Sequence, residues 1–118
     1  MDAKAIEEYR RLLLARRAEL EGLSASSSSS RAAVELDQSK VGRLSRMDAL
    51  QGQAMAQATE ERRRNERHRI EAALARMGED EYGYCQRCGE EIAAARLRLD
   101  PATPLCVDCA NSVARAEL

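Results

Sequence analysis

Large apolar side chains are scarce in this sequence. Of its 118 residues, none is Phe or Trp and three are Tyr. Hydrophobic residues make up 44% of the chain, but 21 of them are alanine. So few bulky side chains cannot fill a deep core, which excludes a sizeable internal active site. The chain also has a single histidine, His68, and no glycine-rich phosphate loop. We therefore expect it not to be an enzyme.

Proline and long apolar runs are also lacking. Both prolines fall after residue 100, so the first hundred residues are free to be mostly helical. No apolar run approaches the roughly 18 residues of a membrane span, and the N-terminal residues do not form a signal peptide. We expect a cytoplasmic protein without a membrane partner, in a compartment where cysteines stay reduced.

The first helix is predicted over residues 2–23, with Asp2 as its N-cap. Its apolar stripe has spacings of three and four with Arg16 in register: Ile6, Tyr9, Leu13, Leu20 and Leu23. A serine run over 24–30 then predicts a flexible interruption, because serine competes for backbone hydrogen bonds. Residues 31–45 are weakly helical with a turn at Gly42.

A second helix is predicted from Leu44 to Met77, ending at Gly78. Its apolar stripe comprises Leu44, Met47, Leu50, Ala54 and Ala58, and then Ile70, Leu74 and Met77. The charged stretch 59–69 between them is typical of a solvated helix face. A helix of this length spans roughly 50 Å and should fold back on the first as an antiparallel hairpin.

Four cysteines form the most specific pattern in the chain. Cys85 and Cys88 are followed after 17 residues by Cys106 and Cys109. Two Cys-x-x-Cys pairs complete a tetrahedral shell for one structural Zn²⁺, with no position open for catalysis. Gly89 suits a turn whose amides face the sulfurs, and the second pair leads into a predicted helix. A redox pair or a disulfide is the alternative, but each leaves the other pair unexplained.

The charge of the cysteine-containing segment bears on its partner. The whole chain has a net charge of −1, but residues 79–118 hold four arginines against eight acidic residues. Four thiolates around zinc add about two further negative charges. A DNA-reading finger carries the opposite sign, so we expect no specific DNA contact.

The region of residues 80–110 resembles the C4 zinc finger of the DksA/TraR family of bacterial transcription regulators. The resemblance rests on Tyr82-Gly83-Tyr84-Cys85-x-x-Cys88-Gly89-x-x-Ile92, Arg96-Leu97, Pro101 and Leu105-Cys106-x-x-Cys109. It implies a mainly α fold, in which an antiparallel two-helix coiled-coil hairpin accompanies a small four-cysteine zinc finger and a terminal helix. It also implies binding to RNA polymerase through its secondary channel, without DNA contact.

The same resemblance assigns candidate sites on the hairpin. Family members that act strongly on transcription carry an Asp-x-x-Asp-x-Ala pattern at the tip, and neither aspartate is present at its matching position here. The candidate tip residues are Asp37, Arg43, Ser45 and Asp48. Arg62 and Arg69 match arm positions that bind guanosine tetraphosphate, whereas Asp100 and Ala110 stand where basic finger residues are expected. A solvated helix face is the simpler interpretation of the two arginines.

These observations predict a zinc-binding transcription regulator that binds RNA polymerase. The alternative is a zinc-stabilised coiled-coil interaction module that does not act on polymerase. We expect a monomer with a helical hairpin over 1–78, its tip near 37–48, and a finger with a terminal helix over 79–118. The packing around the finger is predicted to involve Tyr9, Ile70, Leu74, Tyr82, Tyr84 and Leu97.

Overall fold

The chain is mainly helical. A computed structural model describes the backbone of residues 1–37 and 43–117 and the side chains of residues 1–27 and 46–116. Four helices occur in this described part: α1 (Ala3–Asp37), α2 (Arg43–Gly78), α3 (Ala94–Leu99) and α4 (Val107–Glu117). It contains no strand, only an isolated bridge between Tyr84 and Glu91. No helix within these ranges is both long enough and apolar enough to span a membrane.

The residues group into two units. Unit 1 consists of Met1–Arg16 together with His68–Leu118, and unit 2 consists of Arg17–Arg67. Unit 1 therefore holds the start of α1, the end of α2 and all four cysteines. Unit 2 holds the remainder of α1 and α2.

A small apolar core stabilises unit 1. Asp2 caps α1, since its Oδ1 accepts a hydrogen bond of 2.7 Å from the backbone N–H of Ala5, as predicted. The rings of Tyr9 and Tyr82 lie 5.9 Å apart at an angle of 49°. Tyr84, predicted to pack here, is instead 43% exposed. The buried apolar residues of this unit are Leu13, Ile70, Ala73, Met77, Tyr82, Cys85, Ile92, Leu97 and Ala102.

The serine run is helical. We expected an interruption at residues 24–30, but α1 continues through them to Asp37. Ser27 donates its hydroxyl proton to the carbonyl of Leu23, four residues earlier, at 3.0 Å. The expectation was wrong because this serine hydroxyl does not draw the backbone out of the helix. It donates instead to a carbonyl of the same helix.

Within unit 2, α1 and α2 lie antiparallel, as predicted. Arg63 on α2 bonds Ser27 on α1, and Arg67, one turn later on α2, bonds Ser24, one turn earlier on α1. The apolar stripe predicted for α2 is wrong here, because Met47 is 61% exposed and Leu50 is also exposed. The half-buried residues of α2 in this unit are Ala49, Gln53, Ala56, Thr59, Glu60, Arg63, Glu66 and Arg67.

The stripe predicted for α1 is also shifted. Leu13 and Leu20 are buried, whereas Leu23 is 41% exposed and Arg16 is exposed. Arg17, Ser24 and Ser27 are half-buried instead. The spacing from Leu13 onward is therefore four, three, four, three, the seven-residue repeat of paired helices.

Candidate metal centre

The first cysteine pair lies in a tight turn after α2. The backbone N–H of Gly89 donates to the carbonyl of Cys85 at 2.9 Å, and Cys85 N–H donates to the carbonyl of Glu90 at 2.8 Å. Gly89 has φ of +78°, a conformation that is strained for residues with a Cβ. This glycine therefore lets the chain reverse direction directly after Cys88, as predicted.

The second cysteine pair lies at the start of α4, also as predicted. Cys106 directly precedes the helix, and its carbonyl accepts the N–H of Ala110 at 2.9 Å. The N–H of Cys109 points at the Sγ of Cys106 at 3.5 Å. Free amides and the helix dipole at this end stabilise negative charge on sulfur.

The four Sγ atoms form a compact cluster. Those of Cys85, Cys88, Cys106 and Cys109 all lie within 4.8 Å of one another. The Sγ atoms of Cys88 and Cys106 are 3.8 Å apart. A tetrahedron with Zn–S bonds of about 2.3 Å has sulfur–sulfur edges of about 3.8 Å, so this spacing fits zinc. These four thiolates would hold one structural Zn²⁺ and fill its coordination shell.

The acidities of these thiols differ with their hydrogen bonds. The N–H of Cys88, helped by those of Cys106 and Arg87, lowers the pKa of Cys85 to about 6, although burial opposes this. Hydrogen bonding with Cys106, together with burial, raises the pKa of Cys109 to about 12. Cys85 therefore ionises more readily than Cys109. Ionisation of all four thiols requires a bound cation to balance the negative charge of the sulfurs.

Bonds from neighbouring segments hold the two cysteine turns together. The backbone N–H of Gln86 donates to the carbonyl of Pro104 at 2.8 Å. Arg96 on α3 donates its Nε–H to the carbonyl of Leu105, also at 2.8 Å. The sequence did not predict α3, whose six residues are too few to show a helical repeat. This helix supplies the arginine that supports the second turn.

His68, which was not predicted as a ligand, and the predicted tip residues lie elsewhere in the chain. His68 is exposed on α2 and is not part of the cysteine cluster. Asp48 is exposed on α2. Asp37 ends α1, and Arg43 and Ser45 lie in the first turn of α2, but their side chains and the predicted turn at Gly42 are outside the described residues.

The two arginines of the candidate nucleotide site have partners within the protein. Arg69 forms an ion pair of 2.6 Å with Asp100, and both side chains are 45% exposed. Arg62 donates to Thr59 Oγ1 at 3.0 Å, one turn away on α2. Asp100, which stands where the family resemblance predicts a basic residue, thus reduces the positive charge beside Arg69.

Comparison with known proteins identifies the metal centre. Residues 80–113 match the model of the prokaryotic dksA/traR C4-type zinc finger. The segment that contains the four cysteines is thus similar to the DksA/TraR zinc finger. The match covers the four clustered cysteines and most of α4. The residues that match the DksA/TraR finger therefore include the four cysteines whose spacing fits zinc.

Two curated proteins share sequence with this chain. The RNA polymerase-binding transcription factor DksA of Haemophilus influenzae is 45% identical over 49 residues, which are 42% of this chain and 34% of that protein. DksA of Escherichia coli K12 is 42% identical over 41 residues, 35% of this chain and 27% of that protein. The chain therefore matches about a third of the length of its curated DksA relatives.

The structural similarity extends further than the sequence similarity. The structure of transcription factor DksA2 from Pseudomonas aeruginosa aligns with a TM-score of 0.85 and 26% identity. The alignment covers 99% of this chain and 88% of that chain. The predicted mainly α fold with a C-terminal cysteine cluster is thereby confirmed, and the DksA fold extends to the helices outside the finger.

Proposed function

We propose that this protein is a non-enzymatic transcription regulator that binds RNA polymerase in the cytoplasm. The observation that carries the proposal is the structural match to DksA2 over 99% of the chain, combined with the DksA/TraR finger. Curated relatives named RNA polymerase-binding transcription factor DksA support the partner. The zinc centre serves as a structural support, since its four thiolates leave no site for a substrate.

The binding mode follows from the same resemblance. The helix-to-helix connection between α1 and α2 would enter the secondary channel of polymerase, without specific DNA contact. Its candidate contact residues are Asp37, Arg43, Ser45 and Asp48. Of these, Asp48 has a described side chain, and that side chain is exposed and available to a partner.

Competition for polymerase tests this mode. Core RNA polymerase is first loaded with a known secondary-channel factor and then titrated with this protein. We expect displacement of that factor and retention of this protein by polymerase. Retention without displacement would place the binding site elsewhere on the enzyme, and absence of retention would contradict polymerase binding altogether.

The tip carboxylates are tested in transcription from a ribosomal RNA promoter. Asp37→Asn and Asp48→Asn are each expected to weaken the effect of the protein on transcript yield. Glu8→Gln removes an exposed carboxylate from the first turns of α1 and is the matched control. If both aspartate variants behave like Glu8→Gln, the carboxylates are ordinary surface charges.

A second candidate function is a zinc-stabilised interaction module with a different protein partner. The observation that favours it is the exposure of large apolar side chains of unit 2, namely Leu23, Met47, Leu50 and Met55. Exposed apolar side chains are typical of surfaces that dimerise or bind proteins where they form a contiguous patch. Size-exclusion chromatography showing a stable dimer, together with no retention by core polymerase, would favour this function over the first.

Guanosine tetraphosphate remains a proposed ligand of the polymerase complex, through Arg62 and Arg69. The ion pair with Asp100 lowers the positive potential at this place, so we expect weak binding. Because an exposed pair of this kind contributes at most about 1 kcal/mol, a polyphosphate can compete for Arg69. Asp100→Asn should therefore strengthen nucleotide binding severalfold in the complex, and an unchanged affinity would contradict the site.

A further inference from the structure

The pairing surface of unit 2 contains few apolar side chains. Among the described side chains of this unit, Leu20 alone is fully buried. Beyond it, the half-buried positions of α1 are Ser24 and Ser27. The corresponding positions of α2 are small or polar, as given above, whereas its methionines and Leu50 are exposed. Over the described side chains of this unit, residues 17–27 and 46–67, the helices are therefore not aligned by interlocking of large apolar residues.

Arg63 connects α2 to α1 at two acceptors. Its Nη1 donates to the hydroxyl of Ser27 at 2.9 Å and approaches the backbone carbonyl of Leu23 at 3.5 Å. Ser27 in turn donates its own proton to the same carbonyl of Leu23. The guanidinium is thus fixed to a single turn of α1, through a backbone atom as well as a side chain.

Arg67 makes the corresponding contact one turn further along α2. Its Nη1 donates to the hydroxyl of Ser24 at 2.7 Å. The carboxylate of Glu60 lies between the two guanidiniums, 3.6 Å from Arg63 and 3.7 Å from Arg67. All three charged side chains are mostly buried, with 14% exposure for Glu60, 21% for Arg63 and 24% for Arg67.

These contacts discriminate between alignments of the two helices. A pairing surface of small and polar side chains tolerates axial sliding, since few large apolar side chains interlock across it. Sliding by one turn moves α2 by about 5.4 Å along α1, which exceeds the reach of a hydrogen bond. One guanidinium could then meet the serine of the other pair, but the second guanidinium would lose its serine acceptor while still largely buried, which is unfavourable. Both arginines therefore keep their serine acceptors only in the observed alignment.

We propose that the interhelical Arg–Ser pairs, Arg63 with Ser27 and Arg67 with Ser24, are positioning contacts that fix the register of α1 against α2 in unit 2. A single polar residue at a pairing position is known to specify register in coiled coils at a cost in stability. The inference concerns the helix pair itself and holds whichever macromolecule the protein binds. The charged stretch of residues 59–69 was predicted to be a solvated helix face. The proposal instead gives two of its arginines, Arg63 and Arg67, a role in aligning the helices.

Distance measurements between two spin labels test this proposal. The labels are attached through unnatural amino acids at Ala18 and Ala58, both exposed, so the four cysteines stay available for zinc. The two Arg–Ser pairings place these positions roughly 20 Å apart along the helix axes. A change of register by one turn therefore shifts the label distance by about 5 Å.

Two variants remove the contacts from opposite sides. Arg63→Met/Arg67→Met replaces the donors by unbranched apolar side chains, and Ser24→Ala/Ser27→Ala removes the acceptors while favouring the helix. We expect each to retain the helix content of the wild type. Each should also broaden the single distance peak or add a second population displaced by about 5 Å.

Two controls separate register from general stability. Arg64→Met removes an exposed arginine whose described ion pair, with Glu61, lies within α2, and it should keep the single peak. Arg63→Lys/Arg67→Lys keeps a donor at each position and should largely restore the wild-type distribution. If the methionine variant fails to fold, the alanine variant decides. A single unshifted peak in the alanine variant would overturn the proposal.

Discussion

At the scale of single residues, Tyr82 combines a buried ring with a satisfied hydroxyl. The ring packs against Tyr9, and the hydroxyl donates to the carbonyl of Pro101 at 2.8 Å. Tyr82→Phe keeps the ring but leaves that carbonyl without this donor. We expect a loss of about 1 kcal/mol in the free energy of unfolding of the zinc-loaded protein, measured by denaturant titration.

Tyr84→Phe is the matched control for this change. Tyr84 is two residues away, and its side chain is 43% exposed, so water replaces any partner of its hydroxyl. Its free energy of unfolding should stay within about 0.5 kcal/mol of wild type. Equal losses in the two variants would show that the bond to Pro101 contributes nothing specific.

The same residue predicts a dependence of stability on alkaline pH. Burial, with a smaller contribution from Tyr9, raises the pKa of Tyr82 above its ordinary value. The folded protein therefore holds this proton more tightly than the unfolded chain, whose tyrosine ionises near pH 10. The stabilisation is fully present below about pH 10 and is lost as the pH rises through the folded pKa. The stability difference between wild type and Tyr82→Phe should shrink above pH 10, and a constant difference would contradict this.

At the scale of structural elements, the finger depends on its metal. Its two cysteine turns are joined by few backbone bonds, and the buried residues nearby are small in number. In small metal domains the free energy of zinc binding, about 10–16 kcal/mol, is largely the free energy of folding. We expect one zinc per chain by native mass spectrometry, and loss of that zinc in Cys106→Ser with melting of the finger amides in NMR spectra.

His68→Ala controls for binding by other nitrogen ligands. His68 is the single histidine of the chain and is exposed on α2. This variant should keep one zinc with unchanged affinity. A metal-free wild-type protein with two disulfides, or loss of zinc in His68→Ala, would contradict a four-thiolate centre.

The serine run offers a second prediction at this scale. Ser26 is exposed within α1, so a substitution there tests the helix with little effect on packing. Ser26→Pro should destabilise this part of α1 by about 3 kcal/mol, whereas Ser26→Ala should stabilise it by a few tenths. Hydrogen exchange of the amides of residues 20–27 measures both. Tolerance of proline without faster exchange would indicate a loop.

The elements differ in how far the sequence predicts them. The zinc centre depends on local spacing, since each Cys-x-x-Cys turn positions its two sulfurs within a few residues, and the four cysteines were all identified. The helix bounds of α2 were predicted within two residues. The serine run was not, because serine propensity favours loops while the partner helix supplies Arg63 and Arg67 as donors to Ser27 and Ser24.

The register of the helices required information that no single helix contains. Ile70, Leu74 and Met77 were predicted to pack because of their apolar character, and Ile70 and Met77 are buried while Leu74 is half-buried. The same repeat continues backwards through Arg67, Arg63 and Glu60. Because the prediction followed apolar residues rather than this repeat, it placed Met47 and Leu50 on the packed side of α2, and both are exposed. The seven-residue repeat could have identified the side of α2 that faces α1. The prediction overlooked it because the residues at these repeat positions are charged, and charged residues are mostly exposed in proteins.

At the scale of the whole molecule, charge and stability are unevenly distributed along the chain. The buried apolar residues and the cysteine cluster belong to unit 1, apart from Leu20. Among the described side chains of unit 2, polar contacts connect the two helices, and several large apolar side chains are exposed. The acidic segment of residues 79–118 surrounds a metal centre that itself carries negative charge. This charge distribution is less favourable for a polyanionic partner such as DNA than for a protein partner.

This distribution predicts the response of binding to salt. Binding to duplex DNA through phosphate contacts releases counterions from the DNA and weakens steeply with salt, and a chain of net charge −1 offers few unopposed cations to neutralise phosphates. We expect no mobility shift of duplex DNA at physiological salt, while core RNA polymerase retains the protein under the same conditions. Asp100→Asn should leave the first result unchanged, since one charge does not reverse the sign of the finger. A salt-sensitive DNA complex formed without polymerase would contradict a regulator that acts through protein contacts.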